Sequence, residues 1–298
     1  MNWTSQLVDS LGTMSSWGYC HDGPSTTEPT ALAALALWSR GRGDQAEGPL
    51  AWLVGQQSAD GSLGITADRK KPCWPTSLAV LAWSTATRLT ADPPASEYRQ
   101  HIRQAVRWIL TAKGQVSQNE EVIGHDTTLV GWPWVDGTHS WIEPTAMHLL
   151  ALQATGYGDH PRSREAARLL HDRLLPDGGC NYGNTFVFGQ QLPPHVQSTG
   201  LSLLALTGRD QTSDRIPRSL EYLDRTLSAR TTTSSLCYGL LALAAHGREP
   251  ERADSWLAAA YRRTLAREKS AYKLALLALA ALGKDCPLVD RWAKAALP

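Results

Sequence analysis

Apolar positions along the chain fall into two alternating kinds of segment. In the first kind almost every residue is Ala, Leu or another apolar type. It reads Glu28-Pro-Thr-Ala-Leu-Ala-Ala-Leu-Ala-Leu and returns as Trp74-Pro-Thr-Ser-Leu-Ala-Val-Leu-Ala-Trp and Glu143-Pro-Thr-Ala-Met-His-Leu-Leu-Ala-Leu. Looser copies begin at Gln197, Ser234 and Ala271. These runs carry no polar stripe, and a helix apolar on every face must be enclosed on every side. Small Ala residues let such helices approach closely. Proline in second place suits a first helical turn, where no amide partner is lost, and the Thr or Ser beside it is expected as a cap.

The second kind of segment is amphipathic. Over Gln100–Lys113, Ser163–Leu175, Ile216–Arg230 and Glu251–Arg267, Arg, Glu and Asp share one face, the pattern of a half-exposed helix. Alternation of the two kinds predicts an all-α protein of six helix pairs. A single (α/α)6 barrel over 1–298, with an inner ring inside an outer ring, buries the apolar runs without capping repeats. An open superhelical stack of pairs is the alternative, but its inner helices would show a solvated concave face, and these runs have little polar surface. Gly- and Pro-rich stretches such as Asp92-Pro-Pro94 and Gln190-Gln-Leu-Pro-Pro194 fall between repeats, as turn chemistry predicts.

Composition narrows the function classes. The 298 residues carry a net charge of +1 and no basic block, so no electrostatic footprint for nucleic acid exists. Five widely spaced cysteines without a CxxC read as reduced thiols in a cytoplasmic protein. The start lacks a basic segment followed by an apolar one, so no secretory leader is expected. No stretch approaches the length of a spanning helix.

Twelve tryptophans against two phenylalanines are unusual. Trp38, Trp52, Trp83, Trp108, Trp256 and Trp292 sit on helix patterns and read as core. The densest chemical segment is different. It runs from Gly124 to Thr145 and holds His125, Asp126, Trp132, Trp134, Asp136, His139, Trp141 and Glu143. It lies in the longest insertion between repeats and leads into the third inner helix. Trp17, Trp74 and Tyr182 precede other inner helices, so a closed ring would gather them at the same end.

At these residues the chain resembles the prenyltransferase and squalene-hopene cyclase repeat family. Gln57-Ser-Ala-Asp-Gly-Ser-Leu63 is similar to that family's QW repeat, with Leu63 where the tryptophan would stand. Trp141-Ile-Glu-Pro-Thr-Ala is similar to the Asp-x-Asp-Asp-Thr-Ala motif of class II terpene cyclases, with Glu143 at the catalytic middle position and its outer acids replaced by Trp141 and Pro144. Size and the segment from Asp126 to Ala146 resemble single-domain cyclases of the merosterolic acid synthase type. The resemblance implies acid-initiated cyclisation of a polyprenyl or prenylated aromatic substrate. It implies no cofactor and no metal, and a greasy substrate would favour peripheral membrane contact.

Such chemistry needs a carboxylic acid that is protonated at rest and sheltered from water, with aromatic faces for the cations that follow. Asp126 is the first candidate donor, oriented by His125 or His139; its bland reading is an Asx turn. Glu143 is second, because Glu28 shares its context and a copied feature is more often structural. Trp132, Trp134, Trp141, Trp74, Trp17, Tyr182 and His139 are the candidate substrate-binding residues. A non-catalytic isoprenoid- or protein-binding barrel is the main competitor. A glycoside-processing barrel would need two carboxylates across a wet cleft. A zinc prenyltransferase β-like subunit would need Asp177, Cys180 and His195 as ligands, at spacings that depart from that family's pattern.

Overall fold

The computed structural model describes residues 2–89, 94–118, 123–187, 189–209 and 213–289. Trp292 lies outside them. Six helices carry the apolar runs: α2 (Thr27–Ser39), α4 (Thr76–Leu89), α6 (Ile142–Ala154), α8 (Val196–Leu206), α10 (Thr233–Ala245) and α12 (Ala271–Ala280). Each packs on the next, and α12 packs back on α2, so the ring closes. The amphipathic segments form α5 (Pro94–Thr111), α7 (Pro161–Asp172), α9 (Arg215–Thr226) and α11 (Ala253–Arg267), with α3 (Gly43–Gln56) and α1 (Trp3–Gly12) completing the outer layer. The first helix packs against α11, α12 and α2 and so covers the seam where the ring closes. Arg40, just past α2, locks that seam by donating to the carbonyl of Ala278 at 3.1 and 2.7 Å. Among the described residues the strand content is one short hairpin, Phe186–Val187 with Gln190–Gln191.

The inner helices are enclosed as the pattern requires. Residues 29–37, 75–87, 142–152, 198–206, 236–244 and 274–280 are all buried. The middle of each inner helix is therefore enclosed by side chains, and exposure returns only at the two ends. No described helix is long and apolar enough to cross a membrane.

The repeated threonine is not a cap. Thr26, Trp141, His195 and Thr232 cap α2, α6, α8 and α10 without a side-chain bond, whereas Ser270 caps α12 through its hydroxyl. The threonine of each Pro-Thr or Ser-Thr pair instead binds the backbone of a residue in the preceding loop. Thr30 reaches Trp17, Thr76 reaches Leu63, Thr145 reaches Trp132 and Thr199 reaches Cys180. The capping expectation failed because Thr76, Thr145 and Thr199 accept from buried loop amides instead, while Thr30 donates to the Trp17 carbonyl.

Gly200 stands where the first and third copies carry Ala31 and Ala146, and it does so for a packing reason. A Cβ there would lie 2.7 Å from the backbone carbon and oxygen of Tyr238, so α8 and α10 touch backbone to backbone. Gly200→Ala is expected to lower stability by about 1–3 kcal/mol, read as an earlier midpoint in urea. An unchanged midpoint would mean that this contact is not tight.

Candidate functional site

Ring closure places Glu28 and Glu143, at the same repeat position, on the first and third inner helices. Both stand in the first turn of their helices, where the helix dipole favours an anion. Burial opposes it. Glu143 is 8% exposed. Its Oε1 accepts from Ser198 Oγ at 3.0 Å and its Oε2 from Gln197 Nε2 at 3.3 Å. Burial pushes its carboxyl above the usual range, and those two hydrogen bonds pull it part of the way back. Glu28 accepts a hydrogen bond from the Tyr19 hydroxyl. Burial raises Glu28 to about 7; the Tyr19 bond lowers it and the charge of Glu143 raises it further.

Three tyrosines complete this group. Tyr238, on the fifth inner helix, is 1% exposed and its hydroxyl has no hydrogen-bond partner. Burial raises its phenol, and the charges of Glu28 and Glu143 add to the effect. Tyr272, on the sixth, is raised by burial and then by Glu28. Its ring lies 5.2 Å from that of Tyr19, which is 40% exposed. Glu28 thus meets the Tyr19 hydroxyl directly, and the charges of both carboxyls are felt at Tyr238 and Tyr272. An unpaired buried hydroxyl costs about 1–3 kcal/mol, so Tyr238 leaves the group one partner short.

The expected site residues are dispersed around this centre. Asp126 is half-buried. Its Oδ1 accepts from the amide and hydroxyl of Thr128 at 2.9 and 2.6 Å, an Asx turn, and its carbonyl accepts from Arg173. His125 Nδ1 lies 3.0 Å from Thr185 Oγ1, and burial, helped by Arg173, lowers the imidazole to about 4. His139 and Trp141 have ring centroids 4.5 Å apart. Trp141 caps α6 beside Glu143. Tyr182 is 51% exposed, its ring 4.6 Å from that of His195, and its carbonyl accepts from Ile142 N. Trp17 packs against Gly48 of α3.

Trp132, Trp134 and Trp74 form a separate group between the inner and outer layers. Trp132 is 1% exposed, with His148 stacked on it at 5.0 Å and the Arg162 guanidinium 4.3 Å from its ring centroid. It has no bare face to offer a cation. His148 follows Glu143 by five residues, about 140° around the helix, which turns this group away from the carboxyls. Cys180 is fully buried, its sulfur 3.3 Å from Ser202 Oγ, and burial raises the thiol to about 12. Among the described residues no group of three or more His, Cys, Asp or Glu side chains is placed to hold a metal ion.

Sequence reasoning missed Glu28, Tyr19, Tyr238, Tyr272, Gln197 and Ser198 as partners. A signal was present. In a closed ring, copies of one position converge at one level, so repetition of Glu-Pro-Thr was a reason to pair the glutamates. Tyr238 and Tyr272 also interrupt otherwise aliphatic runs.

No family model matches the sequence, and no curated protein matches it. Solved structures do match by shape. A GH8 protein from Teredinibacter turnerae in complex with xylobiose aligns with TM-score 0.59 at 10% identity, over 98% of this chain and 95% of that one. This chain has the α/α-toroid fold. A Salmonella alpha-2-macroglobulin aligns with TM-score 0.52 at 11% identity, and 93% of this chain spans only 17% of that one. A type II terpene cyclase from Scytonema in complex with merosterolic acid A aligns over 80% of this chain and 66% of its own, at 16% identity and TM-score 0.47. That score is too low to carry an argument, and at such identities all three speak of fold alone.

Proposed function

We propose that the protein is an acid-initiated enzyme working at the mouth of the inner ring, and that its reaction is class II cyclisation of a polyprenyl or prenylated aromatic chain. The observation that carries this reading is the Glu143 carboxyl. It is buried among inner-helix starts, held by Ser198 and Gln197, and biased towards its protonated form. A protonated acid in apolar surroundings is what alkene protonation requires. Glu143 gives its proton to the terminal double bond. The rings of Tyr19, Tyr272 and Tyr238 face the cations that follow, each worth roughly 0.5–2 kcal/mol. Burial raises Glu28 as well, to about 7, so near neutrality it carries only part of a negative charge beside the substrate cation. Asp126 becomes a turn residue at the rim. A greasy substrate would bring the protein to a membrane surface.

One observation favours a second reading, glycoside hydrolysis. Two carboxyls share the mouth, and hydrolysis of a glycosidic bond uses a pair. The two readings separate in one experiment. Wild type, Glu143→Gln and Glu28→Gln are incubated with farnesylated and geranylgeranylated hydroxybenzoates, and in parallel with xylo- and manno-oligosaccharides. Cyclisation gives products of unchanged mass and new ring signals by NMR, lost in Glu143→Gln. Reducing ends released from sugars, with both variants dead, would replace the cyclase reading. Prenylated substrates recovered unchanged from wild type would end it.

Glu28 also sets a pH dependence of stability. Its folded value of about 7 lies above the ordinary 4.5, so the folded state holds this proton more tightly than the unfolded chain does. The stabilisation is fully present below pH 4.5 and is lost as pH rises through 7. The melting temperature is expected to fall between pH 5 and pH 8, and Glu28→Gln should flatten that slope. An identical slope in the variant would show that Glu28 titrates normally.

A further inference from the structure

Two loops meet where α4 and α6 begin, at the end of the ring that carries Glu143. The first is a turn over residues 65–71. Ile65 N donates to the Arg69 carbonyl at 3.0 Å, and Arg69 N returns to the Thr66 carbonyl at 3.2 Å. Thr27 N ties the turn to the start of α2 through the Ile65 carbonyl at 2.9 Å. Gly64 is pressed against it, since a Cβ there would lie 2.2 Å from the Arg69 carbonyl oxygen. The second loop, residues 133–138, closes with Thr138 N on the Val135 carbonyl at 3.2 Å. The Lys71–Asp136 ion pair at 3.3 Å and the edge-to-face contact of Trp74 with Trp134 join the two loops. Gln115 N bonds the Thr138 carbonyl at 2.9 Å, which adds residues 113–116 to the same surface.

These loops hold Arg69, Lys70, Lys71 and Lys113 outward, all solvent-exposed. Among the described residues, Lys71 alone of the four has a carboxylate within ion-pair distance. The acids nearby are already engaged. Asp136 pairs with Lys71, Asp68 accepts from the Thr66 hydroxyl, and Asp60 accepts from the amide and hydroxyl of Ser62. The whole chain carries only +1, so three unpaired cations on one surface are a local excess. Apolar side chains stand among them. Val116 and Val135 are 54% and 50% exposed, and Trp134 is half-buried behind Val135. Valine is poor turn chemistry, so the fold itself gives no reason for Val135 at a turn tip. Exposed apolar groups with a polar surround mark a surface that meets something.

We propose that this surface docks the protein on a bilayer containing anionic lipid. Arg69, Lys70 and Lys113 meet the headgroups, and Val116 and Val135 enter the boundary between headgroups and acyl chains. Neither signal suffices alone, and stable anchoring takes two. Cations close to an anionic leaflet supply one of them, and the apolar tips supply the other. A protein partner would need a hollow shaped for each valine, with apolar area gathered at the centre of its interface. Here the apolar groups are separate tips between cations, which a fluid headgroup layer admits without a matching shape. The inference rests on the cyclase reading for its purpose alone, which is to bring a greasy chain from the bilayer to the end of the ring that holds Glu143.

The test is co-sedimentation of the full-length protein, without substrate, with two kinds of vesicle. One is phosphatidylcholine alone, and the other contains about one third phosphatidylglycerol. At about 0.1 M salt the anionic vesicles are expected to bind about a hundredfold more tightly, from about fivefold for each of three cations. That advantage should shrink at about 0.5 M salt, where exposed charges are screened. Arg69→Ala/Lys70→Ala/Lys113→Ala should remove most of it. Val135→Ser should weaken binding to both vesicles about fivefold at either salt, the loss of one half-exposed apolar side chain. Arg164→Ala/Arg168→Ala/Arg252→Ala takes three exposed cations from the outer layer and should bind like wild type. Equal binding of wild type to the two vesicles would overturn the proposal, and so would an equal loss in the outer-layer variant. Turnover is measured separately with detergent-dispersed substrate, so a failure of docking leaves the cyclase reading standing, and a dead enzyme that still sediments leaves the docking surface standing.

Discussion

Glu143→Gln is expected to lower turnover by about 10²–10⁴-fold, the range lost with a general acid, while the melting temperature stays close to that of wild type. Glutamine has the same shape, and its carbonyl oxygen can still accept from Ser198 Oγ, as Glu143 Oε1 does now. The amide facing Gln197 is accommodated if that side chain rotates its own amide. What glutamine lacks is a transferable proton. Asp126→Asn is expected to be nearly silent in the same assay, because asparagine Oδ1 keeps the bonds from the amide and hydroxyl of Thr128. Steady-state rates on a cyclised substrate check both. A dead Asp126→Asn beside an active Glu143→Gln would return the donor role to Asp126 and remove the argument from the ring mouth.

The second large effect concerns stability. Trp132→Ala should cost about 3–5 kcal/mol, as large-to-small changes of buried aromatics do, and lower the melting temperature by about 10 °C. Trp132 is 1% exposed, its Nε1 donates to the Ile109 carbonyl at 2.9 Å, and its faces are covered by His148 and Arg162. Alanine would leave a cavity between α5 and α6 and strip the Ile109 carbonyl of its donor. It would also uncover Arg162, whose guanidinium bonds the carbonyls of Ala112, Val130 and Gly131. Differential scanning calorimetry measures the shift. A variant that melts like wild type but loses turnover would make Trp132 a substrate-binding residue after all.

Those two side chains show how burial changes the reading of a motif. Trp132 and Glu143 stand in one dense stretch of chain, and by proximity both look like parts of one pocket. In the fold the helix start divides them. Glu143 turns to Ser198 on the neighbouring inner helix, and Trp132 turns outward to α5. Trp134 and Trp74 follow Trp132, not Glu143.

Local pattern was enough to determine the all-helical class and the alternation of enclosed and half-exposed helices. Each rests on periodicity or turn chemistry within one repeat, which a short window of residues contains. Tertiary structure alone decided which side chains meet across the axis. Glu28 and Glu143 are more than a hundred residues apart, and their shared surroundings with Tyr238 exist only because α12 returns to pack on α2. It also decided that Asp126 closes a turn. A proton's preference depends on how much water and charge surround the group, and that is a property of the closed ring, which no single repeat encodes.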